Sequence, residues 1–228
     1  MSSPLQIGIL VFPRVTQLDF TGPLQVFAMV PDAKLHLIWK RMEPVPSDSV
    51  LTLTPTTSFA DCPQLDVICV PGGQGTNDLL NDEDVLAFLR KQAAGAKYVT
   101  SVCTGSLALG AAGLLKGYRA ATHWSAMEML AQFGAIPTKT RVCVDRNRIT
   151  GGGVTAGIDF ALTLVSIMVN RTTAEAIQLQ MEYNPAPPFN AGSPDTAPAE
   201  VLALLRERGA QNHARRLEAV QRAAERVN

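Results

Sequence analysis

The sequence predicts an α/β fold: a mostly parallel sheet with helices on both faces, a three-layer sandwich, followed by a C-terminal helix. Three observations lead there. Short apolar runs, partly β-branched, recur along the chain. Segments with helical spacing of apolar residues alternate with them. Glycine- and proline-bearing turns, such as Pro71-Gly72-Gly73, close the strands where a crossover must begin.

Residues 6–12 (QIGILVF) read as a buried strand, 35–41 (LHLIWKR) as a second, and 50–54 (VLTLT) as a shorter one before Pro55. Residues 65–70 (LDVICV) form another buried strand. At 82–94 the acids Asp82, Glu83 and Asp84 suit a helix N-terminus, Val85, Leu86, Phe88 and Leu89 follow at helical spacing, and Gly95 ends the helix. A strand at 97–102 leads into a small-residue helix at 104–113 that stops at Gly113. Residues 125–133 are amphipathic. Residues 141–145 and 148–150 form a hairpin turning at 145–147, and 155–169 and 172–182 are two helices parted at Asn170-Arg171.

Residues 1–183 thus make the α/β domain. Residues 184–198 hold five of the fifteen prolines, so they are neither helix nor central strand but an extended loop. Residues 199–228 form a helix with Leu217, Val220, Ala224 and Val227 along one stripe, packing on the same domain or on a dimer partner. With six arginines and four glutamates, it reads as a solvated helix with one packing face.

Composition narrows the functions. The 228 residues are 46% apolar and 18% charged, a globular balance, and a chain of this length buries roughly 70–75% of its unfolded surface without metal or disulfide. Twenty basic residues offset twenty acidic ones, so no field favours nucleic acid or an anionic membrane. No apolar stretch approaches the ~20 residues of a membrane span, and the N-terminus lacks a secretory pattern. A soluble cytoplasmic protein is expected. Cys62, Cys69, Cys103 and Cys143 form no C-x-x-C pair, and with three histidines there is no zinc spacing. Buried thiols are the default for Cys62, Cys69 and Cys143.

Sites in such sheets form at the carboxyl ends of strands. At 101–106 (SVCTGS) a strand runs straight into a helix with Cys103 at the junction, the setting of a nucleophile elbow with Cys in place of Ser. A thiol at a helix N-terminus is expected to have a lowered pKa. The turn 71–75 (PGGQG) offers backbone N–H groups, Gly73 among them, for an oxyanion hole, with the Thr104 N–H as second donor; a simple turn is the plainer reading. Asp19, between Leu18 and Phe20, is either a partly desolvated acid/base or the N-cap of a helix starting near Gly22. His123 is a candidate partner for the thiol or a hydrogen-bonded structural residue.

Taken together, TQLDFTGP (16–23), VPGG (70–73), SVCTGS (101–106), ATHW (121–124) and TGGGVTAGIDFAL (150–162) resemble the ThiJ/PfpI superfamily, whose fold is flavodoxin-like and close to that of class I glutamine amidotransferases. The tail EYNPAPPFNAGSPDTAP (182–198) looks like the isocyanide hydratase branch, and the resemblance spans about residues 5–200. It implies Cys103 as nucleophile, Asp19 as the acid/base in contact with it, Thr104 as a nearby active-site group, and Val154 packed near the nucleophile. It also implies a homodimer without metal or organic cofactor, hydrating an isocyanide to the N-substituted formamide through a cysteine thioimidate. Superfamily peptidases carry His directly after the cysteine; this chain has Thr104, so that triad is missing. Many members have Glu where Asp19 stands. The ligand-binding domains of AraC-type regulators share CTG and ATHW, but continue into a DNA-binding region for which the residues after the proline-rich loop are too few. Another cysteine-dependent hydrolase or glyoxalase-like enzyme would use the same pair, and a redox or ligand sensor would use Cys103 alone.

Overall fold

In the computed structural model, which describes residues 4–227, strands and helices alternate as the apolar periodicity requires. In chain order the elements are β1 (Leu5–Leu10), α1 (Gln17–Phe27), β2 (Ala33–Trp39), β3 (Val45–Pro46), β4 (Thr52–Leu53), β5 (Thr57–Ser58), β6 (Val67–Val70), α2 (Thr76–Leu79), α3 (Glu83–Ala93), β7 (Tyr98–Val102), α4 (Gly105–Ala111) and β8 (Arg119–Ala120). A 3-10 helix (Trp124–Phe133) follows, then β9 (Ile136–Pro137), β10 (Val142–Asp145), β11 (Arg148–Gly151), α5 (Ala156–Met168), α6 (Arg171–Gln180) and α7 (Ala199–Val227).

Seven strands form the central sheet in the order β10-β11-β7-β6-β1-β2-β5. Every pairing is parallel except the β10–β11 hairpin at one edge. Its five longer parallel strands, β2-β1-β6-β7-β11, follow the flavodoxin-like order, in which the chain reverses direction between β1 and β6. At that point the loops after β1 and β6 part and leave a crevice at the carboxyl ends. Helices α1, α5 and α6 pack together on one face; α3, α4, α7 and the 3-10 helix cluster on the other. All four residues of β6 are buried, and Phe12, Phe27, Phe133 and Phe160 fill the layers, which is why these strands read as unbroken apolar runs.

Local signals hold in several places. Asp82 caps α3 by accepting from the Val85 N–H, Asn170 caps α6 by accepting from the Thr173 N–H, and 184–198 carries neither helix nor strand. Two expectations shift and one reading gains detail. The run at 50–54 supplies only β4, paired with β3 off the main sheet, while the true edge strand is β5, beyond Pro55. The amphipathic stretch 125–133 is a 3-10 helix, closed by Gly134 in the left-handed conformation. And α1 starts at Gln17 rather than near Gly22, so its N-cap is Thr16, not Asp19.

Candidate functional site

The crevice at the carboxyl ends of β1, β6, β7 and β11 collects Asp19, Gly72, Cys103 and Val154, each on the segment that follows one of those strands. Cys103 sits between β7 and α4 with φ +55°, a left-handed conformation that a non-glycine residue adopts at a cost. Bonds on both sides hold it there. Its N–H donates to the Gly151 and Gly152 carbonyls at 3.1 and 2.8 Å, and its carbonyl accepts from Thr122 Oγ1 at 2.8 Å and Ser106 Oγ at 3.1 Å. The start of α4 lies against β6 so closely that a Cβ on Gly105 would overlap the Val70 carbonyl. Hence the small residue after Thr104.

Asp19 is fully buried in the first turn of α1. Its Oδ2 accepts from the Gly72 N–H at 2.9 Å, across the point where strand order reverses. A Cβ on Gly72 would lie 2.8 Å from that oxygen and 2.5 Å from the Thr104 nitrogen, so only glycine lets the three loops meet. Oδ1 is enclosed and takes no hydrogen bond of good geometry, although the carboxyl faces the Cys103 thiol closely enough to interact with it. Burial pushes the Asp19 pKa up to about 7; the Gly72 N–H and the thiol oppose this, and the charge of Asp48 adds to it. A desolvated carboxyl poised near neutrality beside a thiol is equipped to move protons.

The thiol departs from the sequence expectation. Its pKa is raised, not lowered, because it is buried and because a carboxylate at Asp19 would repel a thiolate. The backbone N–H groups of Thr104 and Val154 oppose this by hydrogen-bonding to the sulfur. A helix N-terminus therefore contributes, as expected, but does not outweigh burial. The glycine turn is also used differently. The Gly72 N–H goes to Asp19, and the Gly73 N–H donates to Thr104 Oγ1 at 3.0 Å, so Gly73 does not present an open donor. Thr104, buried, joins Gly73 to Thr76, whose hydroxyl is 3.1 Å from its own.

His123 does not pair with the thiol. Its Nδ1 accepts from the Ser125 N–H at 3.3 Å and lies 2.8 Å from Ser125 Oγ, which makes it the cap of the 3-10 helix. Burial, with the charge of Arg216, lowers its pKa to about 4, so it is neutral. The ring does stand against Gly153, next to Val154. Cys69 and Cys143 are buried within strands and Cys62 is half-buried, all as free thiols.

Sequence reasoning missed the burial of Arg216. The buried face of α7 is Arg216, Ala219, Val220, Ala223 and Ala224; it shares Val220 and Ala224 with the stripe read from the sequence, and Leu217 packs at its margin. The signal was available: Arg216 stands at helical spacing from the small residues of that face. Among the described residues no group of three or more His, Cys, Asp or Glu side chains comes together as a metal site, and no helix is long and apolar enough to cross a membrane. A groove of about 830 Å³ lined by Trp39, Lys40, Phe59, Phe88 and Lys91 includes none of the residues of the crevice.

Residues 6–167 match the profile of the DJ-1/PfpI family. The chain belongs to that family. It is 58% identical to isonitrile hydratase of Pseudomonas putida, over 98% of both chains. A ThiJ/PfpI family protein of Pseudomonas syringae, solved by crystallography, superposes with a TM-score of 0.93 at 49% identity, over 95% of this chain and 90% of that one. The similarity to the transcriptional regulator GbdR of Pseudomonas aeruginosa is 31% and covers 79% of this chain but 51% of the regulator. Drosophila DJ-1beta, at 21% identity and a TM-score of 0.71, shares the fold.

Proposed function

We propose that this protein hydrates isocyanides to N-substituted formamides, with Cys103 as nucleophile and Asp19 as the acid and base. The observation that supports this most is the buried Asp19–Cys103 pair, with one carboxyl oxygen left unpaired and a pKa near neutrality. The identity to an isonitrile hydratase supports the choice of substrate class.

The terminal carbon of R–N≡C accepts a nucleophile and then, being carbene-like, a proton. The thiol proton passes to Asp19, and the Cys103 sulfur forms a bond to that carbon. Asp19 returns the proton to the same carbon, giving the thioimidate R–N=CH–S and a carboxylate. Water then adds: its oxygen bonds to the carbon while one proton reaches nitrogen, with Asp19 as base and relay. Collapse expels the sulfur, and the proton left over returns to the Cys103–Asp19 pair. Water and isocyanide are consumed and R–NH–CHO leaves. The N–H groups of Thr104 and Val154 face the sulfur, where they stabilise it both before attack and on departure. Thr104 also locks the glycine turn that holds Asp19 through Gly72. Gly73 thus serves the site through Thr104, and His123 by fixing the segment beside Val154.

We take the working molecule to be a cytoplasmic homodimer. Leu179 and Phe189, 82% and 78% exposed, are apolar surface that a second copy would cover, and sedimentation at micromolar concentration tests it. For the reaction, the purified protein is mixed with an aryl isocyanide and formamide is followed by absorbance, beside Cys103→Ala and Asp19→Asn. Turnover by the wild type, lost in the first variant and reduced by about 10²–10⁴ in the second, is the expected result. A reduced, folded wild type that forms no formamide would overturn the proposal.

A further inference from the structure

Three consecutive glycines, Gly151, Gly152 and Gly153, carry the chain from the end of β11 toward α5. Glycine gives up more backbone freedom on ordering than any other residue, so such a run does not fix itself. Yet this turn holds the nucleophile. The Gly151 and Gly152 carbonyls accept from the Cys103 N–H at 3.1 and 2.8 Å, and the Val154 N–H reaches the sulfur. The start of α5 adds little local order, because its N-cap, Thr155, makes no capping bond with its side chain. The order of the turn must be supplied from another part of the chain.

Arg141, just ahead of β10, grips the turn with both main chain and side chain. Its carbonyl accepts from the Gly152 N–H at 2.9 Å, one step past the last rung of the hairpin, where Val142 faces Gly151. Gly152 therefore stands between Arg141 and Cys103, donating to one and accepting from the other. The Arg141 Nε donates to Asp159 Oδ2 at 2.8 Å, and a terminal nitrogen lies 2.7 Å from that oxygen and 3.3 Å from Thr155 Oγ1. Tyr183 closes the cluster: its hydroxyl donates to Asp159 Oδ2 at 2.8 Å and lies 3.5 Å from the guanidinium. Tyr183 is itself fixed at the foot of the proline-rich tail. Its N–H donates to the Gln178 carbonyl at 3.0 Å, and its own carbonyl accepts from Gln178 Nε2 at 3.1 Å. Lys139 and Asp195, 2.5 Å apart, tie the same tail to the same approach to β10. A lone surface ion pair contributes little. Here one planar guanidinium meets oxygens of α5, of its N-cap and of the tail at once, which fixes direction as well as distance.

We propose that Arg141, Asp159 and Tyr183 are positioning residues that act as one clasp. From outside the crevice they hold the glycine turn so that its carbonyls keep Cys103 in its left-handed conformation and the Val154 N–H stays on the sulfur. None of the three side chains takes part in bond making. The inference rests on Cys103 as the nucleophile of the proposed reaction but not on the isocyanide. It also gives a role to two sequence features that the reaction leaves unused, the GIDF segment with Asp159 and the EYNP segment with Tyr183. Through the clasp the proline-rich tail is part of the support of the site.

The test compares Arg141→Met, Asp159→Asn, Tyr183→Phe, Thr155→Val and Thr155→Ser with the wild type. Arg171→Met, which breaks the exposed pair with Glu175 on α6, serves as control. Amide hydrogen exchange at Cys103 and Val154 reads the turn, and kcat and KM for an aryl isocyanide read the chemistry. Arg141→Met and Asp159→Asn should speed exchange at both amides by about tenfold or more while amides of β1 and β6 keep their rates. In the same variants kcat should fall by about ten- to a hundredfold with KM within a few-fold. Tyr183→Phe and Thr155→Val should shift both readouts the same way by less, and Thr155→Ser should return to the wild type. Arg141→Met combined with Asp159→Asn should cost no more than the larger single loss, as residues acting as a unit do. Exchange at Cys103 and Val154 equal to the wild type in Arg141→Met and Asp159→Asn would overturn the proposal. So would faster exchange with kcat no lower than in Arg171→Met, or faster exchange spread evenly over the sheet, which would make the clasp a general stabiliser. If Arg141→Met does not fold, unchanged exchange in Thr155→Val and Tyr183→Phe decides against it. A wild type inactive toward isocyanides defeats the proposed reaction and not this inference, which the exchange rates then decide.

Discussion

Cys69, in β6, and Cys103, just past the end of the neighbouring β7, are buried thiols, and much about them is alike. Burial raises the pKa of both, Cys69 to about 12, and the charge of Asp19 acts on both. Yet Cys69 lies in the regular ladder of β6, aligned with Ile9 and Thr100, and the side chain that hydrogen-bonds to it is the Thr100 hydroxyl. Cys103 has left the ladder, holds φ +55°, receives the Thr104 and Val154 N–H groups and faces the carboxyl of Asp19. Burial alone therefore does not mark a nucleophile, nor does a high resting pKa exclude one. What separates the two thiols is a strained backbone that turns one sulfur toward fixed donors and a proton acceptor. In a dry setting those same donors act more strongly than they would in water.

The sharpest way to break this comparison is to remove each sulfur. Cys103→Ala should lower turnover by about 10⁴-fold or more, as loss of a nucleophile does. Cys69→Ala should leave turnover within a few-fold and lower stability by about 1 kcal/mol for the lost core atom. Comparable losses of turnover in both would mean that the elbow geometry has no special role.

The carboxyl that distinguishes the two sites leaves a mark on stability. Asp19 has its pKa raised from 3.8 to about 7, so the folded state binds this proton more tightly than the unfolded chain does. Its contribution is full below about pH 4 and is lost as pH rises to about 7, on the order of 4 kcal/mol in total. His123 works the other way: with its pKa lowered from 6.5 to about 4, it gives stability that is present above pH 6.5 and lost as pH falls to about 4. In the wild type the two trends oppose each other. The difference between Asp19→Asn and the wild type cancels His123, so the variant should gain on the wild type steadily from pH 4 to pH 7 and then level off. Urea unfolding at pH 4, 5.5, 7 and 8.5 measures it, and a difference independent of pH would place Asp19 in a wetter setting than its burial indicates.

The parts legible in the sequence are those that depend on local pattern. Apolar runs gave away β1, β2, β6 and β7, and the strand-to-helix junction without a loop exposed Cys103. Asp19 stood out because a charge between Leu18 and Phe20 has few places to go. What the sequence hid depends on distant chain segments. The direction of the Cys103 shift is a competition between burial and helix-end donors, and burial follows from how α7, α4 and the 3-10 helix close over the sheet. The Gly73 N–H looked open because its acceptor, Thr104, lies 31 residues away. Arg216 contacts Asn77 across 139 residues, and in a helix with six arginines only the register of the small residues beside it distinguished this one.

The smallest effect comes from two hydroxyls, and it sharpens the comparison most finely. Thr100 and Thr104 are both buried, one inside β7 and the other just past its end. Thr100 Oγ1 donates to the Ile68 carbonyl at 2.9 Å, beside Cys69. Thr104 Oγ1 accepts from the Gly73 N–H and meets the Thr76 hydroxyl, beside Cys103. Valine replaces either with nearly the same shape. Thr100→Val removes a donor from a carbonyl in a strand, and about 1 kcal/mol is expected. Thr104→Val leaves the Gly73 N–H without an acceptor in a sealed turn, which costs about 1–3 kcal/mol. The stability losses therefore overlap, but turnover should not follow them. The turn released in Thr104→Val is the one whose Gly72 N–H holds Asp19 toward the thiol, so kcat should fall in that variant, remain near wild type in Thr100→Val, and return in Thr104→Ser, which restores the hydroxyl. Equal kcat in the two valine variants would mean that Asp19 keeps its place without the turn, and the carboxyl would then owe its position to α1 alone.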